Sequence, residues 1–324
     1  MLPGPIHSSG SNELYLNSAF GGMGRKEVPM SGKEYEKVTV AALRERKHSG
    51  QKIVCLTAYD YPTARILDET GEIDIVLVGD SLGMAVLGYE TTVPVTMDEM
   101  IHHTRCVSRG VRRALVVGDM PYLSFHMGED DCIRNAARFV KEGGASAVKL
   151  EGASQKRIRL AESLVEAEIP VMGHVGLTPQ SINRLGSYQV QGMLPDQAGK
   201  LMAGAKNLES AGVFAIVLES VPLEVAEMVT ASLSIPTIGI GAGPHCDGQV
   251  LVFHDVMGIS LGHVPRFVRK YADLKKAMST AAVRFAGDVR AGKFPDDETS
   301  YHLKPETRTA VKKRLQILAG GRKK

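Results

Sequence analysis

The run AVKLEGASQKRIRLAESLVEAEIPVMGH, from Ala147 to His174, holds the repeating unit on which the fold turns. Ala147–Leu150 is a short apolar run, Ser154–Glu166 carries a helical pattern, and Val171–His174 is apolar again. Short β-branched runs with helices between them are the signature of βα units and a parallel sheet. The same stretch also bears on chemistry. Side chains alternate along a strand, so Lys149 and Glu151 share one face while Val148 and Leu150 share the other.

Outward from this unit the pattern repeats. Apolar runs fall at Ile53–Leu56, Ile75–Val78, Ala114–Val117, Phe214–Leu218, Thr237–Ile240 and Val250–Phe253, which with the first two makes eight. Helical patterns at Asp98–Ser108, Asp130–Glu142, Asp196–Ala211 and Leu223–Ala231 lie between them. Eight alternations predict a (βα)8 barrel, with an open doubly wound sheet as the alternative, because alternation alone does not dictate closure. Thr39 is placed to cap a short helix through Lys47 that closes the bottom of the barrel. Tyr271–Ala291 reads as a long helix, and the residues beyond Pro295 read as polar and peripheral. The expected division is an extension over residues 1–34, a catalytic barrel with its C-terminal helix over 35–296, and a polar, basic tail over 297–324.

The 324 residues are 44% hydrophobic and 23% charged, which suits a globular chain with a full core. A net charge of +3 with interspersed signs offers no footprint for nucleic acid. The basic residues Lys312, Lys313, Arg314, Arg322, Lys323 and Lys324 read as a solvated terminus. Cys55, Cys106, Cys132 and Cys246 are widely separated, which argues against a disulfide framework or structural zinc and for a reduced, cytoplasmic setting. No run approaches the roughly 18 apolar residues of a membrane helix. Met1 to about Gly32 is rich in Gly, Ser and Pro, lacks a secretory apolar core, and reads as a disordered extension with Met30 as an alternative start.

In such a barrel the active site lies at the C-terminal ends of the strands. The residues there are acidic: Asp80-Ser81 after strand two, Asp119 after strand three, Glu151 after Lys149 in strand four, and Glu219 after strand six, with His174 ending strand five. The outer face of a barrel meets apolar helices, so Lys149 and Glu151 should point into the mouth, and the same parity groups Asp80 with Val78 and Asp119 with Val117. Four carboxylates converging on one cleft repel one another and raise each other's pKa unless a cation joins them, and Lys149 alone is insufficient. Oxygen-only donors favour a hard divalent ion such as magnesium.

Each residue also has a plainer explanation. An Asp after a strand commonly caps the next helix, Lys149 and Glu151 can form a structural ion pair, and His174 can be a core imidazole. His102, His103 and His126 look like ordinary helix or loop residues. What raises the set above its members is their coincidence on inward parity in successive strands. Gly239-Ile-Gly241-Ala-Gly243 follows strand seven, where many barrels cradle a phosphate, although glycines there equally serve a tight turn.

Several motifs in order resemble the ketopantoate hydroxymethyltransferase family: Thr57-Ala-Tyr-Asp60, Val78-Gly-Asp-Ser-Leu-Gly-Met84, Gly118-Asp-Met-Pro121, Val148-Lys-Leu-Glu-Gly152, Gly173-His-Val-Gly-Leu-Thr-Pro-Gln180 and Gly239-Ile-Gly-Ala-Gly-Pro-His-Cys-Asp-Gly-Gln-Val250. The resemblance runs from about Thr39 to Pro295. Ala153 departs from it, standing where a second glycine is usual. It implies a TIM barrel of the phosphoenolpyruvate/pyruvate-like kind that binds Mg2+ and assembles as a homo-oligomer, usually a decamer. It implies hydroxymethyl transfer from methylene-tetrahydrofolate to ketoisovalerate (3-methyl-2-oxobutanoate), giving ketopantoate for pantothenate and coenzyme A biosynthesis through a magnesium-stabilised enolate. By the same resemblance Asp80 and Asp119 are metal ligands, with Glu151 on the ion directly or through water. Asp80, Ser81, Asp119, Lys149 and His174 contact substrate, and Glu219 is the catalytic base.

Rival readings are a metal-dependent carbon–carbon lyase acting on a 2-oxo or dicarboxylic acid, a phosphosugar-binding barrel suggested by the glycines, and a barrel that binds without catalysis. The acidic cleft counts against the last, because uncompensated charge is costly to keep for packing alone.

Overall fold

A computed structural model describes residues 36–262 and 264–320. The expected extension over residues 1–34, Met30, and Arg322, Lys323 and Lys324 at the terminus lie outside them.

Eight parallel strands close into one barrel in sequence order. They are β1 (Ile53–Thr57), β2 (Ile75–Val78), β3 (Leu115–Asp119), β4 (Ala147–Glu151), β5 (Val171–Gly176), β6 (Ala215–Glu219), β7 (Thr237–Ile240) and β8 (Gly248–Leu251). Closure is made by β1 and β8, where Ile53 pairs with Gly248 and Leu56 with Leu251. The open doubly wound sheet is thereby set aside. β8 starts two residues before the apolar run at Val250, because Gly248 is buried against β1 and β7, where hydropathy is a poor guide.

Two apolar layers form. Inside the barrel, Ile53, Cys55, Ile75, Leu77, Leu115, Val117, Ala147, Met172, Ala215, Val217, Ile238 and Val250 make one cluster. Val76, Val78, Val116, Val148, Leu150, Ile216 and Leu218 face outward and pack with the helices in another. Helices at Met97–Gly110, Glu129–Lys141, Gln155–Glu166, Pro195–Ser210 and Leu223–Ser232 match the helical patterns in the sequence. A further helix, Tyr61–Glu69, begins at Asp60, whose carboxylate accepts from the Thr63 N–H at 2.8 Å. At Gly118 a β-carbon would run into the Phe139 ring, so the residue before Asp119 lets its helix lie close on β3.

Thr39 caps the helix Val40–Ser49 by accepting from the Ala42 N–H, and the fully buried Leu43 joins the interior cluster from below. This plug closes the bottom of the barrel. The long C-terminal helix is Leu274–Arg290, three residues shorter at its start than the pattern suggested. Within the tail beyond it, Pro305–Gly320 is helical with every side chain at the surface or nearly so. No helix among the described residues is long and apolar enough to cross a membrane.

Candidate active site

Interior parity delivers Asp119 from β3, Lys149 and Glu151 from β4, His174 from β5 and Glu219 from β6 to the C-terminal mouth. Register places neighbours side by side: Asp119 pairs with Lys149 and Glu151 with His174. Asp80 arrives differently. β2 ends at Val78, which faces outward, so the parity argument that grouped Asp80 with Val78 fails. The chain turns at Gly79, and that turn carries the Asp80 backbone to Asp119, whose Oδ2 accepts its N–H at 3.2 Å. Neither aspartate caps a helix, unlike Asp60. Ser81 begins the short helix Leu82–Ala85 without capping it, and its hydroxyl lies 2.8 Å from the Tyr59 phenol.

Asp80, Asp119, Lys149, Glu151 and His174 are each no more than 6% exposed. Lys149 Nζ donates to both Asp119 oxygens, at 2.7 and 2.8 Å. Burial opposes that ammonium, but Asp119, Asp80 and Glu151 outweigh it and hold its pKa above the ordinary lysine value. The Asp80 carboxyl is pushed up to about 7 by burial and by Asp119, with Lys149 and Gln180 pulling the other way. Burial lifts Glu151 well above the carboxylate range. Glu219 is pushed up to about 8 by burial and by Asp80 and Asp119, against Lys149. Its side chain keeps 19% of its surface open, so among the acids named it is the one that meets the cleft.

His174 stands between two acids. Its Nδ1 is 4.0 Å from Glu151 Oε2 and its Nε2 is 3.5 Å from Glu219 Oε2, and among the described residues neither nitrogen has a hydrogen-bond partner. Burial and Lys149 drive its pKa well below the usual imidazole value, so the ring is neutral at physiological pH.

Gln180 received no role from its residue type, though it ends one of the matching motifs. It is buried, its N–H donates to Glu151 Oε1 at 3.1 Å, and its Nε2 donates to Asp80 Oδ2 and the Met120 carbonyl, both at 2.9 Å. Only folding reveals this. His126 packs on Phe125 with ring centroids 4.5 Å apart, and His103 Nδ1 meets the Tyr59 carbonyl at 2.6 Å, which are structural placements. The glycines after β7 also have a steric reason: at Gly241, with φ 64°, a β-carbon would sit 2.6 Å from the Phe267 ring.

Among the described residues, no three His, Cys, Asp or Glu gather closely enough to enclose a metal ion. A cation at this mouth would take two carboxylates, Asp80 and Asp119, and fill its remaining positions from water or substrate. The donor set fits such an ion, since burial and the neighbouring Asp119 raise the Asp80 carboxyl, and a hard divalent cation would relieve the repulsion between the two.

The profile of the family described as ketopantoate hydroxymethyltransferase matches residues 37–297. This chain belongs to that family. Among relatives named 3-methyl-2-oxobutanoate hydroxymethyltransferase, that of Thermoanaerobacter sp. (strain X514) is 54% identical over 268 residues, covering 83% of this chain and 97% of the relative. That of Koribacter versatilis (strain Ellin345) is 54% identical over 275 residues, covering 85% and 92%. All candidate site residues of this ketopantoate hydroxymethyltransferase family member lie inside the matched span, whereas the helix Pro305–Gly320 lies beyond it. The family is one of transferases, which sets aside the reading as a barrel without catalysis. Solved structures speak for the fold. A phosphonopyruvate hydrolase complex with oxalate and Mg++ aligns with TM-score 0.52 at 13% identity, covering 87% of this chain and 98% of that one. A 2,3-dimethylmalate lyase of the PEP mutase/isocitrate lyase superfamily aligns with TM-score 0.52 at 16% identity, covering 87% and 95%.

Proposed function

We propose that this chain transfers a hydroxymethyl group from methylene-tetrahydrofolate to 3-methyl-2-oxobutanoate, forming ketopantoate in the pantothenate and coenzyme A route. The observation that carries the reading is the buried Asp80–Asp119–Lys149 group, with the partly exposed Glu219 carboxyl at the same mouth, inside a chain of this family.

The reaction removes the hydrogen on the carbon beside the ketone and forms a new carbon–carbon bond there. The one-carbon unit enters at the oxidation level of formaldehyde and one water is consumed overall, so neither oxidant nor reductant is required. A magnesium ion held by Asp80 and Asp119 would supply Lewis acidity toward the 2-oxo and carboxylate oxygens. Glu151, anchored by the Gln180 N–H, would reach such an ion through water. Lys149 holds Asp119 in place and sets a positive charge beside the oxygen on which negative charge develops. Ser81, oriented by Tyr59, offers a hydroxyl to the substrate's oxygens.

Glu219 is the proton carrier. A carboxyl raised to about 8 is a far stronger base than an ordinary glutamate, and its partial exposure lets substrate reach it. The Nε2 of neutral His174 lies 3.5 Å from Glu219 Oε2. Raised basicity serves either step that needs a base, removal of the substrate hydrogen or handling of the hydroxymethyl oxygen.

The test is ketopantoate formation by purified protein given 3-methyl-2-oxobutanoate and methylene-tetrahydrofolate, with magnesium present or chelated away. The expected result is product only with magnesium. No product under either condition overturns the reaction, and cleavage of a 2-oxo or dicarboxylic acid without folate would put a lyase in its place.

A further inference from the structure

The side chain of Gln180 takes no part in the chemistry above, yet this residue joins residues of three strand ends. Its backbone N–H holds Glu151, and its side-chain amide is shared between Asp80 Oδ2 and the Met120 carbonyl. The orientation of that amide is settled by its partners. The Met120 carbonyl can only accept, so exchanging the amide's nitrogen and oxygen would set oxygen against oxygen. Gln180 is 5% exposed and its Oε1 is buried with no hydrogen-bond partner among the described residues. A methionine or leucine would fill the same space without stranding a polar atom, so packing does not account for this residue. The two donated bonds do.

We propose that Gln180 is a positioning residue of the metal site: by engaging Asp80 Oδ2 it fixes the rotamer of that carboxylate and leaves Oδ1 as the oxygen offered to a divalent cation. The same residue spaces Asp80 from Glu151, because one bond comes from its side chain and the other from its backbone. The proposal rests on the reading of Asp80 and Asp119 as the metal-holding pair. A partner that orients a ligating carboxylate contributes to affinity although it never touches the ion.

The experiment titrates substrate-free protein with Mn2+, read by the electron paramagnetic resonance signal of the free ion, for wild type, Asp80→Ala and Gln180→Met. Thermal melts without metal show which variants are folded. The expected result is roughly 10–100-fold weaker Mn2+ binding by folded Gln180→Met, and a larger loss in Asp80→Ala. If Gln180→Met does not fold, Gln180→Glu replaces it, keeping the shape and the backbone bond to Glu151 while removing the amide donor. A folded Gln180 variant that binds Mn2+ as tightly as wild type or tighter, with Asp80→Ala impaired, overturns the proposal; a purely structural role would lower the melting temperature and leave that affinity unchanged. Wild-type affinity in Asp80→Ala overturns the metal-pair reading itself.

Discussion

Lys149 Nζ donates to both oxygens of Asp119, at 2.7 and 2.8 Å, across the β3–β4 register that pairs these two residues directly. Both side chains are almost wholly buried. Removing one partner of such a pair strands the other charge, at a cost of about 3–5 kcal/mol. Lys149→Met should therefore lower stability to urea by an amount of that order. Magnesium should recover part of the loss in the variant, because the ion also neutralises Asp119. Equal loss with and without magnesium would place the ion elsewhere.

Glu219→Gln should separate binding from chemistry. The amide keeps the shape of the side chain but cannot take a proton, so turnover should fall by roughly 10²–10⁴. Calorimetric titration should find magnesium and 3-methyl-2-oxobutanoate bound about as in wild type. Full activity in this variant would remove Glu219 from the proton-transfer role.

Stability should decline from pH 6.5 to 8 in metal-free protein. Glu219 moves from an ordinary value of 4.5 to about 8 in the folded chain, and Asp80 from 3.8 to about 7. Over the intervening pH range the folded state holds protons that the unfolded state has released, so stability falls as pH rises. His174 acts with the opposite sign, since its folded pKa lies well below 6.5, but its contribution is complete once pH exceeds that value. The Glu219 share over this window is about 1–2 kcal/mol. Melting temperatures measured between pH 6.5 and 8 should show the decline, a shallower one in Glu219→Gln, and a larger gain from added magnesium at the upper end.

Gly176→Ala should harm both stability and rate. Gly176 sits at φ 102°, a conformation that costs other residues about 1–3 kcal/mol. A β-carbon there would also run into the Glu219 carbonyl, which already accepts the Leu177 N–H at 2.8 Å. A melting temperature and kcat both equal to wild type would show that this close approach does not hold Glu219.

By itself the sequence determined the eight βα units, the plug headed by Thr39, and the inward set of Asp119, Lys149, Glu151, His174 and Glu219. These rest on periodicity and capping, which are properties of neighbouring residues: a strand turns alternate side chains to opposite faces wherever it lies. Tertiary structure alone decided the rest. Closure depends on Ile53 meeting Gly248, nearly two hundred residues away along the chain, which no local pattern encodes. Asp80 reached the site against the parity of its strand because the chain turns at Gly79, and Gln180 became part of it because the loop after β5 folds back over Asp80, Met120 and Glu151. Past a strand's last paired residue alternation no longer constrains direction, and only packing between distant segments fixes where a side chain points.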